Sequence, residues 1–269
     1  MITSLQNPRV KDAVRLRDGR HRQRQGQILI DGARELARAV AAGITLRAVF
    51  LHEPWCQSPA ARQLLGVLPT CGVEILEVSA AVFEKLAFGD RAEGLLGVAE
   101  MPRPSLEALC PPERPLIAVL EGVEKPGNLG AVLRTADAAG LSAVLVADPR
   151  TDLYNPNVIR ASLGTIFTMG VAQGTAAEVL AWLRRYGLMI FAARIDGSTL
   201  YTAADYRGPA AICLGSEAQG LSAAWSADDI RPIRLPMLGT ADSLNVSAAA
   251  AALFYEARRQ RQGERKQGD

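Results

Sequence analysis

A chain of 269 residues, 49% apolar and 22% charged, is long enough for one large or two ordinary domains and has material for real hydrophobic cores, so a globular protein is the default. The opening residues MITSLQNPRVKD lack an apolar export segment, and no apolar run approaches the roughly 18 residues that a bilayer span needs, so a soluble, unexported protein is expected. A net charge of +2 does not by itself demand a nucleic-acid partner.

From the start, LQNPRVKDAVRLRDGRHRQRQ reads as one short polar helix. It holds Arg9, Lys11, Arg15, Arg17, Arg20, Arg22 and Arg24 against Asp12 and Asp18, a cluster of the kind that phosphate contacts need. The same pattern also fits a solvated helix face. QILIDG follows as a strand, ARELARAVAAG as a helix, LRAVFLHE as a strand and PAARQLLGVL as a helix. VEILEVS, AAVFEKLAF and GLLGVAE continue the alternation, which predicts a small α/β domain over 1–100.

MPRPSLEALCPPERP, 101–115, carries five prolines and reads as a linker or tethered crossover. A longer alternation follows over 116–269. LIAVLEGV is a strand, NLGAVLRTADAAG a helix and SAVLVAD a strand. NPNVIRASLG is a helix capped by Asn155 with Pro156 at its first position. AAEVLAWLRRYG, LMIFAAR, AAICLGSE, IRPIRLPM and SLNVSAAAAALFYEARRQR complete it. Continuous apolar strands are buried on both faces, so a largely parallel sheet with helices on each side is expected. The C-terminal EARRQRQGERK is a second basic cluster.

Four cysteines without a C-x-x-C pair, and two histidines, His21 and His52, far from the glycine-rich loop, give no structural zinc pattern. They point to reduced thiols in the cytoplasm.

Three strand-to-loop junctions carry the chemistry. EKPGNLGAVLRTADAAG places Gly127 and Gly130 where a dinucleotide-binding loop would have its glycines, but only G-x-x-G is present, so an NAD-dependent oxidoreductase is disfavoured. What the loop does present is an amide, Asn128, and a guanidinium, Arg134, across a helix start. LGSEAQGLS sets two glycines around Glu217, and LPMLGTADSLNVS places Ser243, Leu244 and Asn245 before an alanine-rich helix. Singly these are turn and cap residues; together, after strands of one sheet, they converge where α/β proteins place ligands.

These segments resemble the SpoU/TrmH family of SPOUT-class RNA methyltransferases, which methylate a ribose 2′-hydroxyl with S-adenosylmethionine. Pro126 to Thr135 is similar to its first motif, Gly215 to Leu221 to its second, and Ser243 to Ser247 to its third. NPNVIRASLGTIF is similar to the segment between the first two. Residues 1–100 resemble, less specifically, the L30e-like substrate-binding domain of ribosomal-RNA members. The resemblance implies a deep trefoil knot, a homodimer with a shared active site, no metal, and an RNA rather than DNA or membrane partner. The two-domain layout leans toward large-subunit ribosomal RNA over transfer RNA. A non-catalytic RNA-binding relative is a further alternative.

By resemblance, Arg134, Asn128, Glu217 and Asn245 are catalytic. Leu214, Gly215, Gly220, Leu235, Met237, Ser243 and Leu244 hold the methyl donor. A guanidinium stays protonated, so Arg134 suits stabilisation of a developing alkoxide or grip on a phosphate; the sequence does not separate a base role for Glu217 from a pocket role. Ala218 stands where many members have glycine. Arg20, Arg22, Arg24 and Arg160 are candidate RNA contacts.

Overall fold

The computed structural model describes residues 1–88 and 93–263. The chain divides into two compact units, Met1–Arg103 with Asp152–Thr168, and Pro104–Thr151 with the residues from Met169 onward. Arg265 and Lys266 of the C-terminal basic cluster lie outside the described residues.

In the first unit the elements are α1 (Pro8–Arg15), α2 (Gly19–Gln25), β1 (Gln27–Asp31), α3 (Ala33–Ala41), β2 (Leu46–Leu51), α4 (Pro59–Val67), β3 (Glu74–Glu77), α5 (Ala80–Leu86) and β4 (Leu95–Glu100). The sheet order is β1-β4-β2-β3, with β4 antiparallel to both neighbours and β2 parallel to β3. Leu16, Leu29, Phe50, Phe83 and Leu96 are among the residues of its core. The single N-terminal helix expected from sequence is two helices. The first ends at Arg15, and Asp18 caps the second by accepting from the Arg20 N–H at 2.8 Å, a cap that a continuous helix would forgo.

The second unit is built on a seven-stranded, wholly parallel sheet. Its elements begin with β5 (Leu116–Glu121), α6 (Pro126–Ala139) and β6 (Ala143–Ala147). Helix α7 (Pro156–Ala161) belongs to the first unit and packs on β1 there, with Asn155 and Pro156 starting it as the sequence indicates. Then come β7 (Gly170–Gly174), α8 (Ala176–Arg185), β8 (Met189–Ala193), β9 (Thr199–Leu200), β10 (Ala210–Leu214), β11 (Ile230–Arg234) and α9 (Val246–Gly263). The order is β7-β6-β5-β10-β8-β11-β9.

Every residue of β5, β6 and β10 is buried, as strands covered on both faces must be. Ile117, Val119, Leu145 and Cys213 share a cluster with Val179 and Leu183 of α8. The alternate residues face the opposite side, where α6 packs on β6 and α9 on β10. The 101–115 stretch contains no helix or strand. Leu106 within it is buried, and its carbonyl accepts from the Trp182 indole N–H at 2.9 Å, so it is pinned to this core.

Candidate active site

The parallel sheet points its strand C-termini at one edge, and the segments 122–125 after β5, 215–222 after β10 and 235–245 after β11 all leave from it. That edge is where an α/β sheet places ligands. Helix α6 starts at Pro126, earlier than the glycines indicated, because proline at the first helical position needs no N–H partner. Asn128 therefore lies in its first turn and Arg134 in its third.

The 215–222 loop folds back on itself. Ser216 and Gly220 exchange backbone hydrogen bonds at 3.2 and 2.9 Å, and the Ser216 hydroxyl accepts from the Gln219 N–H at 3.1 Å. A Cβ on Gly215 would lie 2.0 Å from the Gly220 carbonyl carbon and 2.3 Å from the Leu221 nitrogen, so only glycine permits this approach. Gly220 takes a left-handed φ of 66°. Ala218 has no positive φ and sits in the loop without the strain an alanine would otherwise bring. The base of the loop is fastened by buried Glu121, whose two carboxylate oxygens accept from the Ser222 N–H at 2.6 Å and the Ser222 hydroxyl at 2.7 Å.

The three junctions meet at Glu217. Its Oε1 accepts from the side-chain amides of Asn128 at 2.7 Å and Asn245 at 2.6 Å, and its Oε2 pairs with the Lys125 ammonium at 2.9 Å. Asn245 Nδ2 also reaches Asn128 Oδ1 at 3.3 Å, while Asn245 Oδ1 caps α9 by accepting from the Ser247 N–H at 3.0 Å. Lys125 holds the Glu217 carboxyl below the usual carboxylate range, against the opposing effect of burial, with Asn128 and the Val246 N–H adding to the lowering. A carboxylate so fully committed to donors is a weak proton acceptor, and its geometry is that of a clamp.

Two cavities flank this clamp. The larger, about 470 Å3, is lined by Leu214, Gly215, Gly220, Leu235, Met237, Ser243 and Leu244, all seven of the residues expected to hold a donor. Arg194, Asp196 and Asp242 line it too. The smaller, about 310 Å3, lies on the other side of Ser216, Glu217 and Ala218, against Lys125 and Asn128. Arg134 lines neither; it is exposed on α6, with no hydrogen bond or ion pair to a described residue.

The candidate RNA contacts divide. Arg20 and Arg24 are exposed on α2. Arg22 is not available to a ligand: it is 1% exposed, donates to the Leu16 and Arg17 carbonyls at 2.7 and 2.8 Å, and pairs with Asp152 at 2.6 Å. Arg160 is half-buried within the first unit and donates to the Phe88 carbonyl. Glu121, Lys125, Arg194, Asp196 and Asp242 join the site from outside the residues expected of it. A signal existed for Glu121 and Arg194, polar residues at the C-terminal ends of apolar strands; nothing local marks the others.

The sequence model of the SpoU rRNA Methylase family matches residues 115–255, more than half of the chain. The chain belongs to the SpoU rRNA methylase family. The MRM3-like substrate binding domain matches residues 7–97. The chain is 32% identical over 249 residues to the 23S rRNA (uridine(2479)-2′-O)-methyltransferase of Streptomyces viridochromogenes, covering 89% of this chain and 85% of that one. A crystal structure of an RNA 2′-O ribose methyltransferase superposes with a TM-score of 0.86 at 46% identity, covering 97% of this chain and 99% of that one. The AdoMet-bound rRNA methyltransferase of Sinorhizobium meliloti does so at 0.86 and 29% identity, over 96% and 97%. Within this SpoU chain, the three motif segments are the ones that the Glu217 clamp joins.

Proposed function

We propose that this SpoU protein transfers a methyl group from S-adenosylmethionine to a ribose 2′-hydroxyl of RNA, with large-subunit ribosomal RNA as substrate. The observation that carries this is the junction of the three motif segments at Glu217 with a donor-sized cleft on one side and a smaller polar cavity on the other. The cleft suits the donor. Backbone from Gly215 to Leu221 is laid bare by the glycines, Leu235, Met237 and Leu244 offer apolar surface to a purine, and Ser243 and Asp196 offer partners to hydroxyls and amines. Bound there, S-adenosylmethionine supplies an electrophilic methyl group for in-line displacement.

The chain's own contribution is positioning and charge. Asn128 and Asn245 fix Glu217, which locks the loops in register. Arg134, always cationic, stabilises the alkoxide that develops as the hydroxyl loses its proton. Because Arg134 stands outside both cavities, we infer that the working form is a homodimer in which a second copy completes the site. The return of residues 235–245 past the 215–222 loop into α9, which packs on α6, supports a knotted chain. The scattered thiols fit a cytoplasmic location.

Calorimetric titration tests the donor assignment. Saturable binding of S-adenosylmethionine with no heat from NAD is the expected result; binding of NAD with none of S-adenosylmethionine would overturn it.

A further inference from the structure

The larger cleft is lined by four charged side chains, Arg194, Asp196, Glu217 and Asp242. Three are matched within the fold. Glu217 pairs with Lys125 at 2.9 Å. Arg194 grips Asp196 with two nitrogens, at 2.8 and 2.9 Å, and turns the third to the Ser226 hydroxyl. Asp242 is exposed in the 235–245 segment, and its carboxylate makes no hydrogen bond or ion pair with a described residue. Among the described residues, the wall of the cleft thus carries one negative charge without a partner, beside Leu235, Met237 and Leu244. A ligand that displaces water from such a wall strengthens whatever attraction that charge has for a cation.

We propose that Asp242 reads the charge of the methyl donor, favouring the cationic sulfonium over the neutral thioether left after transfer. The inference rests on the donor reading above. In that transfer a carbon–oxygen bond forms and the carbon–sulfur bond breaks. The bonding pair stays on sulfur, which loses its positive charge, and the hydroxyl proton passes to solvent. Donor and product share their adenine, ribose, ammonium and carboxylate, so charge at sulfur is the main feature by which one wall can tell them apart. A carboxylate serving that purpose lowers the KM for the donor and lets the donor compete better against the neutral product. It does not raise kcat, because the charge it holds is already fading in the transition state.

Titration of wild-type and Asp242→Asn protein with S-adenosylmethionine, S-adenosylhomocysteine and sinefungin, whose protonated amine replaces the methyl sulfonium, tests this. The expected result is a loss of about five-fold in affinity for the two cationic ligands, with S-adenosylhomocysteine within about two-fold of wild type. Asp242→Glu, which keeps the charge, should keep the wild-type order of affinities, and melting temperatures should match, since Asp242 is exposed and has no partner among the described residues. Equal loss for all three ligands would place Asp242 against a shared group and overturn the proposal, as would no loss for any. Failure of the wild type to bind either S-adenosylmethionine or its product would instead overturn the donor reading, and this inference with it.

Discussion

Asn245 donates its side-chain amide to the Glu217 carboxylate at 2.6 Å, joining the start of α9 to the loop that follows β10. Asn128 from α6 and Lys125 complete the clamp. Glu217→Gln replaces an acceptor with a mixed donor and loses the Lys125 pair, so turnover and donor affinity should both fall. The pH dependence has a definite sign. Because the folded-state pKa is lowered, chiefly by Lys125, the stabilisation from this group is fully present above the unfolded value of about 4.5 and lost as pH falls through the folded value. Melting temperatures followed from pH 7 down to pH 3 should drop more steeply for wild type than for Glu217→Gln; parallel curves would show that the Glu217 carboxylate contributes nothing to stability.

Gly215→Ala should cost more than an ordinary loop substitution. The added Cβ would meet Gly220 backbone at 2.0 Å, and neither strand of this tight return can yield without breaking the Ser216 and Gly220 pairing. A destabilisation of about 1–3 kcal/mol is expected, with donor binding lost first. Denaturant titration and calorimetry together would measure both.

Arg134→Ala and Leu244→Arg should separate chemistry from binding. Arg134 is exposed and its side chain has no partner among the described residues, so its removal should leave stability within about 0.5 kcal/mol and donor binding intact, while turnover falls by about 100-fold or more. Leu244 lines the larger cleft, and a cation there should weaken binding of a cationic donor by about ten-fold or more. Single-turnover assays alongside titrations distinguish the two; near-normal turnover in Arg134→Ala would contradict its catalytic role.

Much of this was legible in sequence, and the exceptions have physical causes. The buried strands β5, β6 and β10 announce themselves because covering both faces demands unbroken apolar runs. The α7 start is visible in Asn155 and Pro156. β7, read as Gly-Val-Ala-Gln-Gly, and the two-residue β9 have too little apolar or β-branched character to stand out, and are strands only because β6 and β11 offer partners. Charge patterning could not show that Arg22 turns inward, since its partner Asp152 lies 130 residues away. The motif residues were recognisable from a resemblance, but their joining at one carboxylate exists only in the folded chain.

Arg22 supplies a prediction of its own. Removing one member of a buried pair leaves Asp152 and two carbonyls without their donor, so Arg22→Ala should destabilise by about 3 kcal/mol. Arg20→Ala, on the exposed face of the same helix, should leave the melting temperature unchanged and weaken RNA binding in a salt-dependent way. Filter binding at two salt concentrations, read beside thermal melts, checks the contrast.

The most direct test of ribose methylation by this protein is to incubate it with labelled S-adenosylmethionine and unmodified ribosomal RNA, then map methylation nucleotide by nucleotide. The expected result is label on the 2′-oxygen of a discrete site in large-subunit RNA, absent with Arg134→Ala. Label on a base, or none on any RNA offered, would contradict the proposed function.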